Sequence, residues 1–268
     1  MPLAGKNNYL YIFKQQRRKL SFDKKKIAEI VDNNYVNASV LYYFGISFFD
    51  YSEETLEQAC ATCGLDVETV IKKLEETPQK GENNAPELQE YPVRLIVEYL
   101  KHAHYLFIKQ KLPYIARLIE SYKLPSSSGH ELARDLKFVF PLFVEDFIHH
   151  IYEEEDTLFK YLIDLTDYLE NGKNTGSIYW KMEEKALQRF AMEHEEHDDE
   201  MRGIRNITDN YRISAGTPLA LKVIFAELRA LEDDLKTHAH IENEILFPKA
   251  LALEREVAEK IQLSVKLN

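Results

Sequence analysis

Along most of this chain, apolar residues recur at spacings of three and four, with charged residues between them. That periodicity gathers the apolar side chains on one face of an α-helix. Four long segments carry it, at about 95–122, 130–170, 178–210 and 218–247. No alternating, strand-like run of comparable length interrupts them. Breaks fall at 77–92 (TPQKGENNAPELQEYP), 124–129 (LPSSSG), 171–177 (NGKNTGS) and 214–218 (SAGTP), where Pro, Gly, Ser and Asn collect. The pattern predicts an all-α protein, with an up-down four-helix bundle behind a small helical N-terminal domain. The expected divisions are a basic arm at 1–30, the small domain at 31–77, a linker at 78–94 and the bundle at 95–268.

Local chemistry refines these ends. Thr217 followed by Pro218 reads as an N-cap and the first residue of the fourth helix. Pro248 should stop that helix, and Pro113 and Pro141 should kink or break theirs. Ser52 and Asp66 are candidate N-caps for two short helices at 53–63 and 67–76.

Composition narrows the functional classes. With 268 residues, 45% of them hydrophobic, the chain can bury a real core. Two cysteines supply neither a disulfide framework nor a four-thiolate cluster site. No apolar stretch approaches the length of a membrane span, and the first 30 residues lack the apolar core of a signal peptide. The expectation is a cytoplasmic protein in a reducing compartment. A formal charge of −11 argues against general nucleic-acid binding. The charge is uneven. Residues 1–30 carry eight Lys or Arg against Asp23 and Glu29, a net of +6, which leaves −17 for the remainder. The arm reads as a solvated N-terminus able to grip phosphate or an acidic partner.

The chemistry lies in a repeat. His150-xxx-Glu154-xxx-Leu158-Phe159 and His238-xxx-Glu242-xxx-Leu246-Phe247 share the template H-x-x-x-E-x-x-x-L-F, 88 residues apart. A spacing of four puts His, Glu and Leu on one helical face. Leu belongs on a buried stripe, so the template carries an imidazole and a carboxylate into the core. An unpaired carboxylate there costs several kcal/mol, whereas coordination of a metal makes its burial tolerable. On the third helix, His197 aligns with Phe190, Met201 and Ile204. On the first, His104 aligns with Ile96, Leu100, Ile108 and Ile115, and His102 with Leu95, Tyr99 and Leu106; two residues apart, they cannot both face the axis. The inward set is thus His104 or His102, His150, Glu154, His197, His238 and Glu242. Six nitrogen and carboxylate donors exceed one tetrahedral zinc and suit two metals, with iron or manganese the best match.

A lone His on an apolar face is more often a satisfied core residue, and a single HxxxE pair is common on solvated helices. His130, His149, His194 and His240 are assigned that role, as are Glu153, Glu155, Glu195, Glu196 and Glu200. The duplicated template, with inward His on two further helices, is what lifts the pattern above chance. Cys60-x-x-Cys63 reads as two small residues buried in a helix pair, with a redox or metal role as the alternative.

These residues resemble a known family. The run 231–251 (LEDDLKTHAHIENEILFPKAL), the His150-to-Phe159 motif, Glu196-His197-Asp198, and His104 with Leu112-Pro113 are similar to the hemerythrin-like domain of the di-iron iron–sulfur cluster repair proteins, the Repair of Iron Centers family. At its first-helix position the family's His falls at His104 or one residue on, where Tyr105 stands, and His102 stays open. Residues 38–73 are similar to that family's short N-terminal domain, but Phe49, Asp50, Tyr51 and Ser52 stand where the family has Cys-Cys-Gly-Gly. The thiol chemistry of that pair therefore does not carry over.

The resemblance implies a hemerythrin-like bundle holding two irons with an oxo or hydroxo bridge. His104, His150, His197 and His238 would be terminal ligands and Glu154 and Glu242 bridges, with Asp198 and Asp234 orienting imidazoles. It further implies repair of iron–sulfur clusters damaged by nitrosative or oxidative stress, by iron donation. A hemerythrin-like binder or sensor of dioxygen or nitric oxide is the alternative. Expected partners are damaged iron–sulfur proteins and those diatomic ligands, with no nucleic acid, no membrane and a homodimer left open.

Overall fold

Residues 22–34, 36–76, 88–122, 130–172, 175–183, 187 and 199–266 are described by a computed structural model. Among them the regular structure is helical, and the one β feature is an isolated antiparallel bridge between Lys26 and Thr55. The protein is all-α, as the periodicity predicts. The chain divides into two compact units. One comprises 1–83, 117–123 and 211–229; the other comprises 84–116, 124–210 and 230–268.

The first unit holds five short helices: α1 (Ile27–Asn33), α2 (Asn37–Tyr43), α3 (Phe48–Tyr51), α4 (Leu56–Cys63) and α5 (Val67–Glu76). Ile27, Leu41, Ile46, Leu56 and Val70 are fully buried, so even this short stretch encloses a core. The cap of α4 differs from expectation. Ser52 closes α3, and Thr55 caps α4 instead. Thr55 Oγ1 accepts from Gln58 N, and Gln58 Oε1 accepts from Thr55 N, a complete capping box. Asp66 does cap α5, accepting from Thr69 N at 3.0 Å. Gly64, at φ +68°, closes α4 in the left-handed region that glycine enters without strain.

The second unit holds the longer elements. They begin with α6 (Val93–Leu106), which passes through a π turn (Phe107–Lys111) into α7 (Leu112–Ser121). Next, α8 (His130–Glu154) passes through a π turn (Glu155–Phe159) into α9 (Lys160–Asn171). Helices α10 (Thr175–Glu183) and α11 (Arg202–Ile207) follow. Finally α12 (Leu219–Ile241) passes through a π turn (Glu242–Leu246) into α13 (Phe247–Lys266). Helix α9 packs on α6 and α13, and α11 packs on α8. Their core gathers Ile96, Val97, Leu100, Phe159, Leu162, Leu165, Leu246, Ala250 and Val257.

Three sequence expectations change at the prolines and at Thr217. Pro248 does not stop the fourth helix, which runs on through α13 to Lys266. Both Pro248 and Pro113 occupy the second residue after a π turn. Each wide turn is closed by the residue just before the proline, Phe247 N to Glu242 O and Leu112 N to Phe107 O. A wide turn leaves room for the pyrrolidine ring, and the missing N–H costs one bond in a ladder already changing step. Pro141 sits within an α8 that continues past it. Thr217 Oγ1 accepts from Ser214 N at 2.9 Å, closing the preceding loop, while Pro218 O receives the bond from Lys222 N.

Candidate metal centre

The stripe that buries α8 runs Leu136, Phe140, Phe143, Phe147, Ile151, Glu154 and Leu158, in steps of three and four. Glu154 is the one charged member. Glu242 occupies the matching place on the stripe of α12, after Leu228, Leu231 and His238, and His104 does so on α6, after Ile96 and Leu100. Helical periodicity alone therefore delivers these four polar side chains into one interior. His104, Glu154 and Glu242 are each 1% exposed and His238 8%. One donor atom from each lies within 4.8 Å of the others.

The distances show how they face. His238 Nε2 is 2.7 Å from Glu242 Oε1 and 2.9 Å from His104 Nε2. His104 Nε2 is 3.5 Å from Glu154 Oε2. Among the described residues, no donor of good geometry reaches either Glu154 oxygen or His238 Nδ1. Aromatic rings wall the site: Phe159 stacks on His104 at 5.6 Å, and Phe107 meets His238 edge-on at 5.7 Å. Burial, reinforced by the facing Glu242 carboxylate, holds the Glu154 carboxyl well above its ordinary value. Burial, with His238 alongside, pushes His104 down to about 3. The imidazole is thus neutral, with a lone pair to offer. Two buried carboxylates face two imidazoles, and charge balance is missing. A cation placed among them supplies it, and the donor set fits one.

The other predicted site residues divide. His150 is half-buried and lines a cleft of about 280 Å³ that also touches His238 and Glu242, next to the four-residue cluster. His102 is exposed, its ring stacked on Tyr105 at 6.5 Å. His197, with Asp198, lies outside the described residues. Asp234 pairs with Lys111. The cleft continues past Asp199, Glu200, Arg205, Glu232 and Lys236. There the buried Glu232 accepts from Arg205 Nη1 at 2.8 Å and pairs with Lys236 Nζ at 2.6 Å, and Arg205 also holds Asp199. Glu232 was not among the sequence candidates; only its place on the α12 stripe, one residue after Leu231, could have pointed to it.

Glu155 is a correction. It reads as one more solvated acid in the run Glu153-Glu154-Glu155-Asp156. In the structure its Oε1 is 2.9 Å from His104 Nδ1, and its side chain is only 26% exposed.

The sequence profile of the hemerythrin HHE cation binding domain matches residues 95–250. The chain belongs to this hemerythrin family. Its match spans His104, Glu154, His238 and Glu242, so the family's cation-binding character and the buried cluster agree. Several relatives align over nearly their whole length. The iron–sulfur cluster repair protein ScdA of Staphylococcus haemolyticus is 19% identical, covering 83% of this chain and 96% of that protein. A probable iron–sulfur cluster repair protein of Haemophilus influenzae is 21% identical over 87% and 99%. The iron–sulfur cluster repair protein YtfE of an Enterobacter species is 23% identical over 88% and 100%. Among the described residues, no helix is long and apolar enough to cross a membrane.

Proposed function

We propose that this hemerythrin-family chain repairs iron–sulfur clusters damaged by nitrosative or oxidative stress, donating iron from a two-iron centre. The carrying observation is the buried His104–Glu154–His238–Glu242 cluster, in a chain similar over most of its length to proteins named for cluster repair. In this reading His150 and His197 complete the ligand set of the second metal. The two carboxylates offer two oxygens each and serve as bridges. Bound iron would supply redox chemistry and an exchangeable cation.

The chain's own residues account for retention and release. Aromatic rings keep water from the imidazole faces. Neutral His104 binds without first losing a proton. The cleft past Glu200 and His150 gives the cluster a polar way out. The assay is restoration of an apo iron–sulfur enzyme by anaerobically iron-loaded protein. Recovery beyond that given by an equal amount of ferrous salt is expected; no excess would refute donation.

A hemerythrin-like binder of dioxygen or nitric oxide is the second reading. The same cleft favours it, because Phe147, Met201, Leu235 and Ala239 give it an apolar lining suited to a diatomic molecule. Reversible uptake of either gas with all iron retained would select it over donation.

A further inference from the structure

We propose that Glu155 is a positioning residue for the metal centre, accepting the Nδ1–H of His104 so that Nε2 presents its lone pair to Glu154, His238 and Glu242. The inference rests on the reading of that cluster as a cation site.

The geometry fixes the His104 ring on every side. Glu155 Oε1 takes the Nδ1 edge at 2.9 Å. Phe159 covers one face, nearly parallel at 8°. On the opposite edge, Nε2 points at His238 Nε2, 2.9 Å away, and at Glu154 Oε2, 3.5 Å away. Two consecutive residues thus reach both edges of one imidazole. Neighbours on a regular helix diverge by about 100°. Here the chain changes from α to π between them, at Glu154 and Glu155. Helix α6 supplies both the ring and a cation near the carboxylate: Lys101 Nζ is 3.9 Å from Glu155 Oε2, and Lys101 lies three residues before His104. A carboxylate on the outer nitrogen selects the tautomer, holds the ring plane and makes the inner nitrogen a better donor. The second copy of the template has Asn243 where the first has Glu155, so the duplication itself does not provide this contact.

An ion pair with Lys101 alone would leave the tautomer of His104 unset. Ring ¹⁵N shifts of the metal-free wild-type chain distinguish the two roles: Nδ1–H with bare Nε2 is expected, and a proton on Nε2 overturns the proposal. In anaerobic titrations with ferrous iron, Glu155→Ala should weaken binding about 10- to 100-fold. Glu155→Gln, whose amide oxygen still accepts the bond, should restore most of it. Unchanged iron affinity in Glu155→Ala would also overturn the proposal. Failure of the wild type itself to hold iron would instead refute the cation site, and the ¹⁵N result on metal-free protein would still decide the role of Glu155.

Discussion

Glu154 sits where an apolar residue would serve folding better. It is 1% exposed on a stripe of Phe, Ile and Leu, and no described donor satisfies its oxygens. Replacing such a group by an apolar side chain of similar size removes a penalty of about 1–3 kcal/mol. Glu154→Leu should therefore raise the melting temperature of the metal-free protein by several degrees, in calorimetry, while abolishing iron retention. A lower melting temperature would show that Glu154 contributes to the apo fold.

Protons follow the same logic. The Glu154 carboxyl holds its proton more tightly in the folded chain, so its contribution favours folding at low pH and fades as pH climbs from about 4.5 towards the raised value. His104, held down to about 3, acts oppositely: charging it penalises the fold as pH falls below 6.5. Metal must displace the Glu154 proton. Iron affinity is expected to rise with pH, with proton release on loading that is smaller in Glu154→Leu. Calorimetric titration in buffers of different ionisation enthalpy measures that release. Elsewhere, burial pushes the Cys60 thiol up to about 11. It should resist alkylation at pH 8 in the folded chain and react on unfolding.

At the scale of elements, caps and π turns carry the testable content. Thr55→Ala breaks a complete capping box and should cost about 1 kcal/mol in denaturant unfolding. Pro248→Ala should gain well under the roughly 3 kcal/mol of an ordinary helix-interior proline, because the turn before it already accommodates the ring. A gain that large would show the turn gives no relief. These turns mark the limit of what was legible. The His and Glu of the template were readable because period-3.6 spacing decides burial before any tertiary contact forms. Pro248 as a stop was a sound local inference defeated by a non-local fact, the wide turn ahead of it. Glu155 escaped because four acids in a row look the same from sequence. Only the change of helical step separates one facing solvent from one facing an imidazole.

For the molecule as a whole, the cluster lies within the second unit, and each of its four residues comes from a segment distant in the chain. A ligand that binds only the folded state stabilises by about 2.7 kcal/mol at a hundredfold excess over its dissociation constant. Iron loading should then slow amide exchange around 104, 154, 238 and 242, and chelation should reverse the effect. Uniform protection, reaching α1 and α5 equally, would contradict a site confined to the second unit.

The π turns also bear on how this chain is compared with others. Each holds one residue more than an α-helix of the same length requires. Deleting a residue from 107–111, 155–159 or 242–246 would restore an unbroken α-helix, with everything downstream rotated by about 100° relative to the site. A one-residue gap in the middle of a helix is usually rejected as physically unreasonable. In this chain those three stretches are where such a gap is cheapest, and an alignment that forbids it there will pair the wrong histidines.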